Sequence, residues 1–109
     1  MKEFLPSCRS IDQTLAYRRW FDGLRDGRAK SRLLAAVRRL SLGNFGSAKS
    51  LGKGLHELRI DYGPGYRIYF ATYGEHLILL AYGGDKSRQK SDIARARELA
   101  AAWEPEDGA

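Results

Sequence analysis

Residues 55–92 read LHELRIDYGPGYRIYFATYGEHLILLAYGGDKSRQKSD, and this stretch decides the fold. Its apolar residues recur with a period of two, and breaks at Gly63–Gly65 and Gly74–Glu75 interrupt that period. A period of two is typical of a β-strand, and short glycine-containing breaks are typical of hairpin turns. The stretch therefore predicts a three-stranded antiparallel meander. The predicted pairs are residues 55–61 with 66–73 and residues 66–73 with 76–83.

The lengths of the two turns predict which residues share a face of this meander. A turn made of Gly63–Gly65 places Arg59 opposite Tyr69, so that Arg59 and Arg67 lie diagonally on one face, here called the arginine face. A two-residue turn at Gly74–Glu75 puts Leu77, Leu79 and Ala81 on the core face and Ile78, Leu80 and Tyr82 on the arginine face. A second turn one residue longer reverses the faces of the third strand.

Before the meander, the apolar period is helical. The first predicted helix has an apolar stripe of Tyr17, Trp20, Phe21 and Leu24, and the second has one of Ala29, Leu33, Ala36, Val37 and Leu40. Asp12 and Asp26 are the predicted N-caps, and Gly43 is the predicted left-handed residue that ends the second helix. A short strand is expected around Cys8–Ile11, ahead of the first helix.

A third helix is predicted after the meander. Its narrow apolar stripe consists of Ile93, Ala96, Ala100 and Trp103. Ser87 is its predicted cap, and Pro105 is expected to stop it before an acidic tail. The predicted fold class is α+β: an N-terminal helix hairpin packed on a mainly antiparallel sheet of three to four strands, with a C-terminal helix.

Composition fits a single domain over residues 1–109. The 109 residues are 43% hydrophobic, and the sequence contains no internal repeat and no low-complexity linker. The formal net charge is +6, and it is unevenly distributed. Residues 1–53 contain 12 Lys or Arg and 4 Asp or Glu, whereas residues 54–109 contain 7 and 9. This asymmetry favours a polyanionic partner, and the alternative is a charged surface that only keeps the protein in solution.

Several classes of function are disfavoured by the composition. Cys8 is the single cysteine and His56 and His76 are the two histidines, so neither an internal disulfide nor a structural zinc site is predicted. No cofactor-binding motif is present, and no cofactor is expected. The longest apolar run, Leu77–Tyr82, is too short to span a bilayer, and the N-terminus has no apolar signal core. We expect a soluble, cytoplasmic protein.

Arg59, Arg67 and Lys86 are the candidate catalytic residues, because the meander brings three cations to neighbouring points. Arginine binds two phosphate oxygens with its planar fork, and a desolvated lysine can transfer a proton. RNA supplies its own nucleophile, the 2′-hydroxyl, so a ribonuclease needs alignment, charge stabilisation and proton transfer. The alternative is that Arg59 forms a surface ion pair with Glu57 or Asp61, which would contribute little.

Other residues are weaker candidates. His56 could be a general base by type, but its position along the strand favours a structural role, and His76 is expected to lie exposed in a turn. Tyr69 could stack on a base or simply pack across the sheet. Lys49 and Lys53 lie in a basic segment of the kind found beside a backbone groove.

Residues 42–70 and 79–100 together resemble HigB-like toxins of the RelE/ParE superfamily, the addiction-module killer proteins. The resemblance rests on GNFG, ELRI, GPGYRIYF and GGDKSRQKSDI occurring in this order. It implies a helix hairpin on an antiparallel sheet, and cleavage of mRNA on the ribosome as the activity. It places the cationic site on Arg59, Arg67 and Lys86, and less firmly on Lys53 and Tyr69. Tyr82 would take the place of the C-terminal tyrosine that some members stack on a nucleotide.

The resemblance also implies partners. These are a small cognate antitoxin that often binds DNA, forming a hetero-oligomer with the toxin, and the ribosome with its mRNA; no membrane is involved. The surplus of positive charge in the first half suggests that the second helix helps to dock on ribosomal RNA. The RNA-docking candidates there are Arg28, Lys30, Arg38 and Arg39. The predicted function is thus an mRNA interferase, an endoribonuclease that inhibits translation. The alternatives are a gyrase-poisoning ParE-like toxin without nuclease activity, and an inactive antitoxin-binding regulator.

Overall fold

A computed structural model describes residues 9–103, which form an α+β fold with a mixed sheet of five strands and three α-helices. A short 3₁₀ helix precedes the last α-helix. In chain order the elements are β1 (Ser10–Gln13), α1 (Leu15–Asp22), α2 (Gly27–Ser41), β2 (Lys49–Gly52), β3 (Leu55–Ile60), β4 (Tyr66–Tyr73), β5 (Leu77–Asp85), the 3₁₀ helix (Lys86–Arg88) and α3 (Gln89–Ala102).

The sheet has the order β1-β5-β4-β3-β2. The predicted antiparallel pairing of β3 with β4 and of β4 with β5 is confirmed. The outer strands extend this meander: β1 pairs with β5 in parallel, and β2 pairs with β3 in antiparallel. The predicted count of three to four strands is therefore too low. The strand expected around Cys8–Ile11 is β1, which begins at Ser10, and Cys8 itself lies outside the described residues.

The strand that the sequence did not reveal is β2. The sequence indicates only a basic segment around Lys49 and Lys53, whereas in the structure Lys49 lies opposite Glu57 in the ladder. A two-residue turn connects β2 to β3, and both of its residues have positive φ, Lys53 at 56° and Gly54 at 80°. Positive φ at both central residues matches the natural twist of a hairpin, so this turn closes a short strand pair.

The first turn of the meander is longer than predicted. Arg59 lies directly opposite Arg67 rather than Tyr69, and β3 and β4 are joined by residues 61–65. The Gly65 N–H donates to the carbonyl of Tyr62 at 3.0 Å, which draws Tyr62 into the turn. Because the register moves by two residues, the faces are unchanged. The two arginines are direct cross-strand neighbours instead of diagonal ones.

The second turn is also longer, and here the faces change. Tyr73 lies opposite Leu77 across a three-residue turn, so the two-residue prediction is wrong for most of β5. Ile78 and Leu80 pack with the core against α1 and α2 instead of lying on the arginine face, and Leu79 lies opposite Ala71 on that face. A bulge between Tyr69 and Phe70 then shifts the register, and Tyr82 returns to the arginine face as predicted.

Each face of the sheet is covered by helices. On one face, α1 lies along β5 and α2 lies near β3, and their apolar stripes meet Ile68 and Phe70. On the arginine face, α3 packs Ala96 against Tyr69 and Leu55. The strands are therefore buried on both sides, which explains why their apolar pattern is almost continuous in β4 and β5.

The helix ends agree with the sequence at α2. Asp26 accepts from the N–H groups of Arg28 at 2.9 Å and Ala29 at 3.3 Å, as predicted for its N-cap. Gly43 follows the last residues of α2 with φ 87°, as predicted for a left-handed end. Such a conformation is disfavoured for residues with a Cβ.

The predicted caps of the other helices are wrong. Thr14 caps α1, since its hydroxyl accepts from the Tyr17 N–H at 2.9 Å, whereas Asp12 lies in β1. The Thr14 hydroxyl also donates to the carbonyl of Ala81 at 2.7 Å and so fixes α1 to β5. Asp85 rather than Ser87 caps the turn before α3, and α3 ends at Ala102, while Pro105 lies outside the described residues.

A glycine in β5 brings α1 close to the sheet. A Cβ at position 83 would lie 2.2 Å from two ring carbons of Trp20. We predict that Gly83→Ala lowers the free energy of unfolding by about 1–3 kcal/mol through this overlap. Urea denaturation measures the loss. Gly27→Ala is the control, because a Cβ there meets nothing within 4 Å, and an equal loss in both variants would contradict the packing argument.

His56 has the structural role that its strand position predicted. Its ring stacks on Phe70 at 5.0 Å between centroids and meets Phe45 edge-on at 6.0 Å. Burial lowers the pKa of His56 below its ordinary value of 6.5. The unfolded chain therefore takes up the proton first as the pH falls, so this contribution to stability is present above about pH 6.5 and is lost below it.

We predict that His56→Phe weakens the acid dependence of stability. The wild type should lose more free energy of unfolding than this variant when the pH falls from about 7.5 to about 5.5, as measured by urea denaturation. His76→Gln should keep the wild-type dependence, because His76 is exposed in the β4–β5 turn. An unchanged pH slope in His56→Phe would show that the imidazole does not carry the effect.

Candidate functional site: an anion-binding cleft

The three candidate catalytic residues, Arg59, Arg67 and Lys86, line one cleft of about 310 Å³. It lies at the end of the sheet where β3 turns into β4 and where β5 ends. We call it the meander cleft. The remaining residues of its lining belong to the β3–β4 turn and are Asp61, Tyr62, Gly63 and Gly65.

The sheet register positions the three cations. Arg59 and Arg67 are opposite each other on β3 and β4, and Gly84 of β5 lies on the other side of Arg67. Lys86 follows the end of β5, and its N–H donates to the carbonyl of Gly65 at 3.0 Å. Gly65 has φ 84°, and a Cβ on it would lie 3.4 Å from Lys86 Cδ. The glycine therefore allows both the turn and the close approach of the lysine.

The buried carboxylate of Glu57 forms an ion pair with Arg67. Glu57 Oε2 lies 2.6 Å from Arg67 Nε in a close ion pair that is not aligned as a hydrogen bond. The same oxygen accepts from Gln89 Nε2 at 2.6 Å, so the first residue of α3 joins the pair. Glu57 is 1% exposed and Arg67 is 9% exposed. The surface pairing considered for Arg59 and Glu57 does not form; Glu57 pairs with Arg67 in the interior.

The charge of the meander cleft is accordingly carried by its two exposed cations. Glu57 balances Arg67, whereas Arg59 and Lys86 are exposed and neither forms an ion pair with another residue between positions 9 and 103. Asp61 is the one carboxylate in the lining. Arginine and lysine side chains on a concave surface attract anions, and phosphate suits the arginine fork.

Tyr69 does not offer a ring to a ligand. It is 0% exposed, and its hydroxyl has no hydrogen-bond partner among the described residues. Burial and the nearby Glu57 carboxylate raise the pKa of Tyr69, so the phenol stays neutral at neutral pH. Of its two possible roles, the structure shows cross-strand packing. Tyr82, directly opposite on β5, is half-buried on the same face.

Asp92 of α3 is a further carboxylate that the sequence did not indicate. It is buried against Gly84, where a Cβ would lie 2.1 Å from its Oδ2. Burial raises the pKa of Asp92, and the positive charge of Arg88 opposes this shift. The glycine pair Gly83–Gly84 therefore serves packing on both faces of β5: one glycine admits Trp20 and the other admits Asp92.

The remaining basic candidates lie outside the meander cleft. Lys49 is exposed beside Glu57 on the arginine face, whereas Lys53 and Arg97 line a different cleft near the end of α3. Lys30 lies over the Phe21 ring at 5.5 Å and donates to a carbonyl of α1. The other predicted RNA-docking residues, Arg28, Arg38 and Arg39, are exposed on α2.

Two further properties concern residues 9–103 as a whole. Nowhere in this part of the chain do three or more His, Cys, Asp or Glu side chains come together in a way that could hold a metal ion. None of the helices within it has the length and apolar character that crossing a bilayer requires.

Comparison with known proteins finds a relative that matches most of this chain. An uncharacterized protein of Haemophilus influenzae is 46% identical to this chain over 90 residues, which cover 83% of this chain and 91% of the relative. The chain belongs to the same family as that protein. No protein-family model matches the chain, and no solved structure matches it.

The pair of Glu57 and Arg67 generates a prediction about stability. Glu57→Ala leaves the Arg67 guanidinium buried without a counter-charge, and we predict a loss of about 3–5 kcal/mol in the free energy of unfolding. Urea denaturation measures this loss. Glu98→Ala is the matched control, because Glu98 forms an exposed pair with Arg95 at 3.5 Å and should change stability little. Equal losses in the two variants would refute the interior role of Glu57.

Proposed function

We propose that this protein is the toxin of a type II toxin–antitoxin module and acts as a ribosome-dependent mRNA endoribonuclease. The observation that carries the proposal is the meeting of Arg59, Arg67 and Lys86 in one cleft. The sequence resemblance to HigB-like toxins of the RelE/ParE superfamily also supports it. The helix pair on one face of an antiparallel meander, with a last helix after Lys86, is compatible with a RelE-like fold.

The chemistry needs little more than these cations. The 2′-oxygen of RNA attacks the adjacent phosphorus, the 2′ proton is removed, and the 5′-oxygen leaves with a proton. Arg59 and the fixed guanidinium of Arg67 bind the phosphate oxygens, which gain negative charge as the new bond forms. Lys86, which lines the same cleft, is the group assigned to the proton transfer. The 2′-hydroxyl requirement makes RNA, and not DNA, the substrate.

The basic surface of α2 is assigned to the ribosome in this proposal. Arg28, Arg38 and Arg39 are exposed there and can approach ribosomal phosphates, whereas Lys30 is partly engaged with α1. A cognate antitoxin would hold the toxin inactive by covering or distorting the meander cleft and by burying apolar surface. Leu15 and Leu34, which are large and exposed on α1 and α2, provide such a surface.

We predict that replacing Arg59 and Lys86 together by alanine abolishes the growth arrest that induction of the wild type causes. Loss of a single charged donor to a transition state costs on the order of 10²–10³ in rate, so the double variant should fall at least a hundredfold in mRNA cleavage. Primer extension on cellular mRNA after induction measures cleavage. Arg95→Ala is the control, since Arg95 lies on α3 and pairs only with Glu98 among the described residues.

The outcomes separate the competing functions. Growth arrest without mRNA cleavage in the wild type, together with loss of supercoiling by purified gyrase, would establish the gyrase-poisoning alternative. No arrest by the wild type, but binding to the product of a neighbouring gene, would establish a regulator that only binds its antitoxin. Full cleavage by the Arg59 and Lys86 double variant would overturn the catalytic assignment.

A further inference from the structure

A second cleft, of about 440 Å³, adjoins the meander cleft. It lies between α2, the segment that follows α2 and the end of β3, and we call it the edge cleft. Its basic lining is Arg32 and Arg39 from α2 and Arg59 from β3. Of these three, Arg32 was not a candidate in the sequence, and Arg39 was a candidate there as part of a general basic surface.

The two clefts are connected through shared residues. Arg59 and Asp61 line both of them. The Arg32 guanidinium lies 4.5 Å from the centroid of the Tyr62 ring, and Tyr62 lines the meander cleft. The boundary between the clefts is therefore formed by an arginine, a tyrosine ring and the shared Arg59. A ligand in one cleft is adjacent to a ligand in the other.

The short length of β2 explains how Arg59 reaches both clefts. The β2 strand pairs with β3 only at residues 55–57, so β3 has an open edge from Leu58 onward. Arg59 is exposed at this edge and lines both clefts. The edge of β3 is thus not covered by β2 where the two clefts meet.

The other wall of the edge cleft is a fixed loop. Phe45 anchors it in the core, with its ring 5.5 Å from Phe70 and 6.0 Å from His56. Asn44 Oδ1 accepts from the Gly46 N–H at 3.0 Å, and Gly46 has φ 53°. Asn44 and Ser47 are held at the cleft by this turn, and both carry hydrogen-bonding side chains. The GNFGS segment, residues 43–47, thus contributes polar groups beside three arginines.

The charge of the edge cleft is positive. Arg32, Arg39 and Arg59 are exposed, Asp61 is its one carboxylate, and none of these arginines forms an ion pair with another residue of the described part of the chain. Arginine forks beside amide and hydroxyl groups are the donors that phosphodiesters prefer. The volume is in the lower part of the range of ligand-binding pockets.

We propose that the edge cleft is a second phosphate subsite, which binds a neighbouring phosphodiester of the same single-stranded RNA whose scissile phosphate lies in the meander cleft. This inference rests on the proposed function and adds the path of the substrate to it. Arg59 contacts both phosphates of the substrate or the link between them. Of these two phosphates, Arg32 and Arg39 contact only the second. The ligand class is a polynucleotide of at least two phosphates, rather than a mononucleotide.

The test compares two RNA ligands that cannot be cleaved because their 2′-oxygens are methylated. One is a dinucleotide with a single internal phosphate, and the other is an octanucleotide. The Kd is measured by NMR titration for the first and by fluorescence anisotropy for the second. The variants are Arg32→Ala combined with Arg39→Ala, and Lys86→Ala. Arg19→Ala is the control, because Arg19 is an exposed arginine of α1 that lines neither cleft.

The double variant should bind the octanucleotide on the order of tenfold more weakly and bind the dinucleotide as the wild type does. The dependence of log Kd on log salt for the octanucleotide should also decrease by about 0.7 for each phosphate that the variant no longer neutralises. Lys86→Ala should weaken the binding of both ligands, and Arg19→Ala should change neither Kd by more than about twofold.

Each other result overturns the subsite. Unchanged octanucleotide binding in the double variant would refute the second phosphate subsite. If Arg19→Ala weakens octanucleotide binding equally, the effect is a general attraction by positive charge. Equal weakening for both ligands places Arg32 and Arg39 at the first phosphate instead. If the wild type cleaves mRNA in cells and the double variant binds RNA normally, only the subsite falls. If the wild type binds neither ligand and yet cleaves mRNA in cells, the subsite also falls and the proposed function stands; if it causes no mRNA cleavage on induction, the proposed function falls as well.

Discussion

The ion pair between Glu57 and Arg67 joins β3, β4 and α3 at the point where the sheet opens into the meander cleft. Two opposite charges taken from water are costly unless they meet closely and their other polar atoms are satisfied. Here Glu57 also accepts from Gln89, so the start of α3 is tied to the same carboxylate. The position of α3 and the orientation of Arg67 therefore depend on one another.

The charge of Arg67 is therefore paired inside the protein, whereas the charges of Arg59 and Lys86 are exposed to solvent. Arg67 is fixed through its Nε. Under the proposed function, an anion in the meander cleft would meet one guanidinium held by a carboxylate and two exposed side chains. Sites that stabilise developing charge benefit from donors that need no reorganisation, and in the proposed reaction Arg67 would be such a donor.

Close packing on both faces of β5 supports the same region. Gly83 admits Trp20 from α1, and Gly84 admits Asp92 from α3, so that the two helices approach one strand from opposite sides. Immediately after this pair, Asp85 caps the turn that presents Lys86. The glycines of GGDK are therefore required by packing, and the lysine that follows them receives its position from that packing.

The sequence by itself determined the meander, the α2 helix with its Asp26 cap and Gly43 end, and the meeting of three cations, because these follow from local periodicity and turn chemistry. It did not determine the faces of β5, since a turn one residue longer and a bulge between Tyr69 and Phe70 each invert them. The packing of α3 on the sheet buries three residues, Glu57, Tyr69 and Asp92. No local sequence pattern predicts where α3 packs. The edge cleft likewise exists only because β2 stops pairing at Glu57 and α2 lies beside the open edge, which are facts of the tertiary structure.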